Sequence, residues 1–172
     1  ENHLHKDHAK AAYGGYNEVR NLYKRSTAFN DVNTDERNIH IGMDFWIKAG
    51  TIVLAALDGK VHSFQCNNNL GDYGPTIILE HQVENHTFYT LYGHLTLDSI
   101  ASMKVGDSFK KGQPLASLGQ SSVNGDYAPH LHFQIIKDIQ TNFGDYPGVC
   151  SKSKLDYYLT NCPNPNILLK IF

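Results

Sequence analysis

At 172 residues, 41% of them hydrophobic, the chain is long enough to fold as one domain with its own core. Charged residues make up 19% and the net charge is −2, which excludes a dedicated nucleic-acid binder or a polybasic membrane anchor, since neither electrostatic footprint is present. No stretch approaches the ~18–20 consecutive apolar residues that span a bilayer.

The opening residues, Glu1-Asn-His-Leu-His-Lys-Asp-His8, lack the apolar stretch of a signal peptide. A removed targeting segment, an origin within a larger chain and an intracellular protein are all consistent with that start. From residue 16 to 29, Val19, Leu22 and Tyr23 recur at helical spacing and predict a short amphipathic helix. After Arg37 the texture changes to short runs rich in Ile, Val, Thr, Tyr and Phe, separated by Gly-, Asn- and Asp-rich turns. These runs predict strands over 39–45, 51–55, 60–65, 76–81, 87–94, 114–118 and 130–136. Residues 98–103 are compatible with one helical turn, and 154–159 with a short helix before Pro163, Pro165 and an extended 167–172. The expected fold is therefore mainly β, an antiparallel sandwich or open barrel with short peripheral helices at both ends. Residues 1–36 read as an N-terminal extension, 37–137 as the core and 138–172 as a C-terminal extension packed on the same single domain, expected to be a monomer.

Three cysteines, Cys66, Cys150 and Cys162, form no CxxC pair. Cys150 and Cys162 lie in a loop-rich tail and are open to a disulfide or to two thiols. Ten histidines are more informative, because imidazole is both the commonest metal ligand and a near-neutral acid or base. His-x-x-x-Asp occurs as His3/Asp7, His40/Asp44 and His94/Asp98, and His-x-His as His3/His5 and His130/His132, so spacing alone selects no site. Context is more selective. His130-Leu-His132 lies in an alternating strand, where residues two apart share a face with Cα atoms about 6.6 Å apart. His40 and Asp44 on a straight strand would stand about 13 Å apart, too far for one ion. Gly42, midway between them, permits a bend that the other His-x-x-x-Asp copies lack. His94 closes a strand behind Gly93, which lets the chain turn or a substrate approach. His81-Gln-Val-Glu84-Asn-His86 is not a zincin helix, since its histidines are five apart, and His62 reads as structural.

The ordered set His40-Ile-Gly-Met-Asp44, Tyr92-Gly-His94-Leu and Pro129-His130-Leu-His132-Phe resembles the lysostaphin/LytM family of peptidoglycan endopeptidases. Gly50-Thr-Ile-Val through Asp58-Gly-Lys-Val61 and Lys104-Val-Gly-Asp-Ser-Phe-Lys-Lys-Gly-Gln113 are similar to its hairpin and hybrid-motif turn segments. The likeness runs from Arg37 to Ile136. Two departures stand out: the stretch Ser121-Ser-Val-Asn-Gly-Asp-Tyr-Ala-Pro129, and Gln134 where a glutamate is common.

The resemblance implies a single zinc ion held by His40, Asp44 and His132, with His94 and His130 as the unligated catalytic pair. It further implies a zinc metalloendopeptidase of the bacterial cell envelope or secreted, acting on peptidoglycan or a short peptide. Two imidazoles and one carboxylate would leave an open position on the metal, with His94 and His130 handling the proton of the attacking water. Loops 67–75 and 124–129 are the expected walls of a substrate groove, lined by Tyr73, Tyr92 and Tyr127. The alternative is a catalytically silent relative that serves as a regulator or binding module, within a larger protein. A cupin is disfavoured, because its His-x-His comes early and is followed by a glutamate.

Overall fold

The structure, a computed structural model, describes residues 9–20 and 35–171. Twelve strands are present among them: β1 (Ala12–Gly14), β2 (Glu18–Val19), β3 (Arg37–His40), β4 (Met43–Trp46), β5 (Ile52–Leu54), β6 (Gly59–Asn67), β7 (Gly74–Val83), β8 (His86–Gly93), β9 (Ser108–Phe109), β10 (Pro114–Ser117), β11 (His130–Ile136) and β12 (Val149–Ser151). Short helices α1 (Leu97–Ala101), α2 (Leu155–Asn161) and α3 (Asn166–Leu169) and a 3-10 turn at Lys152–Lys154 complete the described elements.

A seven-stranded antiparallel sheet runs β1-β4-β11-β8-β7-β6-β9, with a two-stranded sheet β10-β5 and a three-stranded sheet β12-β3-β2 beside it. Side chains alternate between its faces, as strand geometry requires. Ile77, Leu79, Tyr92, Phe133 and Ile135 enter one cluster with Val53, Leu115 and Leu118 of the β5–β10 layer. Ile78, Leu91 and Ile136 enter a second with Ile39, Ile41, Ile139, Tyr146, Cys150 and Cys162. The central strands are thus covered on both faces, which explains their unbroken apolar runs. At the rates typical of apolar burial, each of the wholly buried leucine and isoleucine side chains contributes about 1.5–3 kcal/mol.

The antiparallel β architecture matches the expectation, three local readings change and the open question of the two tail cysteines is answered. The predicted strand 39–45 is two strands in different sheets, because the backbone leaves the ladder at Ile41, whose N–H bonds the Gly148 carbonyl at 3.0 Å. The predicted helix fails where it can be tested: residues 18–19 form β2, paired antiparallel with β3, and Val19 is 65% exposed rather than packed on a core. The rest of that prediction, 21–29, lies outside the described residues. The extended tail is instead the short turn of α3, started by Pro165 and by the Asn164 side chain accepting from the Asn166 N–H at 2.9 Å. Cys150 and Cys162 are buried thiols, not a disulfide, and burial pushes both up to about 11.

Candidate metal centre

The ends of β3, β4, β8 and β11 meet where the main sheet and the three-stranded sheet diverge. In the ladder, Asp44 sits opposite His132 and His130 opposite Trp46, while His132 also faces Gly93. The turn at Ile41-Gly42 returns His40 toward Asp44. The bend expected at Gly42 is present and is made without a left-handed backbone, since Gly42 is absent from the positive-φ glycines. A Cβ there would stand 2.5 Å from His132 Cε1, so glycine is needed for the imidazole to lie against the chain.

Three atoms converge. His40 Nε2 is 3.2 Å from Asp44 Oδ1, His132 Nδ1 is 3.0 Å from the same oxygen, and the two nitrogens are 3.0 Å apart. All three residues are buried. Hydrogen bonds on the far sides set the tautomers. His40 Nδ1–H donates to the Gly15 carbonyl at 3.0 Å, and His132 Nε2–H donates to Gln134 Oε1 at 3.0 Å, with Tyr73 Oη at 3.4 Å. Lone pairs, not protons, therefore face the centre from His40 Nε2, His132 Nδ1 and Asp44 Oδ1. Three acceptors packed this closely repel unless a cation lies between them. Ligands at ~2.0–2.1 Å around a tetrahedral ion would be about 3.3 Å apart, close to the spacing found. Among the described residues this is the one such group.

Asp44 is buried, which would raise its pKa, yet its histidine neighbours hold it well below the ordinary carboxylate value. His94 and His130 lie beside these three residues. Their ring centroids are 4.0 Å apart, and His130 Nε2 is 4.0 Å from Asp44 Oδ2. Each donates its Nδ1–H to a backbone carbonyl, His94 to Asn124 at 2.9 Å and His130 to Ala128 at 2.7 Å, which leaves Nε2 as the basic atom. Burial lowers the pKa of both below the usual imidazole value, that of His94 further still with His130 beside it, so both are neutral near pH 7. His94 has φ 65°, a left-handed conformation costly for most residues. The turn expected of Gly93 is made by His94 itself, and Gly93 instead lets the Tyr73 ring approach.

These residues open onto a cavity of about 480 Å³. Tyr73 and Tyr127 line it. Tyr92 does not: it is 1% exposed in the first core cluster, and its hydroxyl accepts from the Ala56 N–H at 3.0 Å, so its place in the groove is withdrawn. The loops expected to face each other across the groove form a single wall. The Gly71 N–H bonds the Gly125 carbonyl and Tyr127 Oη–H the Gly71 carbonyl, both at 3.0 Å. Residues 145–149, with Arg20 and Trp46, line the remainder.

Sequence reasoning missed Arg20, which pairs with Asp44 Oδ2 and lies over the Trp46 ring at 5.7 Å. The helical reading of its segment hid it. Sequence marks Gln134 only as a departure from the usual glutamate and does not reveal it as the partner of His132. Of the decoys, His81 bridges the Asp58 carbonyl and the Thr90 hydroxyl inside the fold, and His62 packs edge-on to Tyr89. His3, His5 and Asp7 lie outside the described residues.

Residues 38–143 match the sequence profile of peptidase family M23. Over 96 residues the chain is 40% identical to a glycyl-glycine endopeptidase, ALE-1, of Staphylococcus capitis, covering 55% of this chain and 24% of that protein. Over 104 residues it is 32% identical to the peptidoglycan DD-endopeptidase ShyC of Vibrio cholerae, covering 60% of this chain and 21% of that protein. The chain thus spans about a quarter or less of the length of these relatives. The fold is similar to the catalytic domain of lysostaphin from Staphylococcus simulans, with TM-score 0.51 and 24% identity over 88% of this chain and 93% of that one.

Proposed function

The chain belongs to peptidase family M23, and from that premise we propose that it is a zinc-dependent endopeptidase that hydrolyses amide bonds in peptidoglycan peptides, acting in the cell envelope or outside the cell. The observation that carries the reading is the convergence of three lone-pair donors, His40 Nε2, Asp44 Oδ1 and His132 Nδ1, beside a second, neutral pair of histidines.

His40, Asp44 and His132 would hold the ion. When bound there, zinc supplies a Lewis acid that polarises a peptide carbonyl and makes water acidic near neutral pH. The chain's own residues then handle the proton. His94 and His130 each present an unprotonated Nε2, fixed in direction by the Asn124 and Ala128 carbonyls. One takes a proton of the attacking water; as imidazolium it can then donate that proton to the departing amine, so that water and amide become carboxylate and ammonium and the histidine returns to its neutral form. The rings of Tyr73, Tyr127 and Trp46 flank the two histidines and lower the local dielectric, which would strengthen stabilisation of the developing oxyanion by the imidazolium Nε2–H.

The test is metal content together with hydrolysis. The purified chain should carry about one zinc per molecule, release new amino groups from purified peptidoglycan, lose that activity on chelation and regain it with zinc. Zinc-loaded protein that leaves peptidoglycan intact contradicts the enzymatic reading and supports a binding module.

A further inference from the structure

We propose that residues 15–20, which precede the stretch matched to the family, form part of the metal centre, with Arg20 as the positioning residue for Asp44. The inference rests on the metal reading above. Asp44 directs Oδ1 to His40 and His132, while Oδ2 receives Arg20 Nη1. A carboxylate can bind a cation through one oxygen or both. With Oδ2 held by a guanidinium, Asp44 offers one oxygen only and leaves the cavity side of the centre open.

Arg20 is itself fixed on several sides. Its Nε donates to Glu18 Oε2 at 2.9 Å, its backbone N–H bonds the Asn38 carbonyl at 2.8 Å, and its guanidinium lies over Trp46. Gly14 permits this stack, since a Cβ there would stand 2.8 Å from Arg20 Nη2. The same segment reaches a second ligand, because the Gly15 carbonyl accepts from His40 Nδ1–H. Pairing of β2 with β3, with Glu18 opposite His40, carries both contacts to the site. Two of the three ligands are therefore oriented by residues outside the matched stretch. Outer partners of this kind shift metal affinity by ~10–100-fold.

The test compares the full chain with its Arg20→Met and Arg20→Lys variants, measuring zinc affinity by chelator competition and kcat and KM on peptidoglycan. Arg20→Met should lose about 10–100-fold in zinc affinity and lower kcat with KM little changed, while Arg20→Lys, which keeps the charge but not the planar fork, recovers part of each. A folded Met variant with parental zinc affinity overturns the assignment, as does one with raised activity, which would make Arg20 a plug. Should the Met variant not fold, parental affinity in the Lys variant overturns it and reduced affinity supports it. A parent chain that takes up no zinc overturns the metallopeptidase reading, a failure distinct from the loss of Arg20's role.

Discussion

His132 has two ring nitrogens with opposite duties, and the difference is imposed from Gln134. Gln134 is wholly buried; its Oε1 accepts from His132 Nε2–H, and its amide donates to the Pro147 carbonyl at 3.1 Å and to Cys162 Sγ at 3.3 Å. That arrangement turns His132 Nδ1 toward Asp44. Gln134→Met, similar in volume but unable to accept, should reduce zinc affinity about 10–100-fold in chelator competition, whereas parental affinity would show that the tautomer is set elsewhere. His94→Ala and His130→Ala should each lower kcat by ~10²–10³ while the protein keeps its zinc, read from paired kinetics and metal analysis. Much of this was legible in sequence, because the metal-centre side chains come from short motifs in fixed order. Arg20 was not, since one arginine in a polar segment carries no signal until its neighbours in space are known. Tyr92 was misplaced because its proximity to His94 in sequence says nothing of which sheet face it takes.

The strand that breaks at Ile41-Gly42 is the element on which the site depends. It places His40 in one sheet and Asp44 in another, with the His132 ring filling the space a side chain at 42 would need. Gly42→Ala should cost about 1–3 kcal/mol through overpacking and weaken zinc binding with it; an unchanged melting temperature and metal content would contradict this. Elsewhere His81 ties β7 to the turn at Asp58 and to β8. Burial lowers its pKa from 6.5, so the unfolded chain binds a proton that the folded chain refuses. Its contribution is complete above that value and is lost as pH falls below it. His81→Gln should therefore shrink the drop in melting temperature between about pH 7 and about pH 5, relative to the parent; an identical drop would show that His81 does not set it. The long strands were readable from alternating apolar residues and turn signals. β1, β2, β9 and β12 were not, because two or three residues contain no period and their pairing is decided by distant partners.

At the scale of the molecule, early and late segments of the chain brace the part of the two-faced sheet that carries the candidate site. β1 pairs with β4 across Asp44 and Trp46, while β12 pairs with β3 beside His40. Tyr16 Oη–H donates to the Cys162 carbonyl at 2.6 Å, joining the early segment to the late one. No described helix is long and apolar enough to cross a membrane. The β class followed from composition and periodicity, but which segments close around the site is a matter of long-range pairing that local sequence does not encode. Whether this centre cuts peptides is decided by digesting defined peptidoglycan fragments and reading the products by mass spectrometry. New amino termini at one kind of peptide bond are expected with the zinc-loaded parent, and none above background with His130→Ala carrying the same zinc. Intact fragments with the zinc-loaded parent, or equal cleavage by the His130 variant, would contradict the peptidase reading.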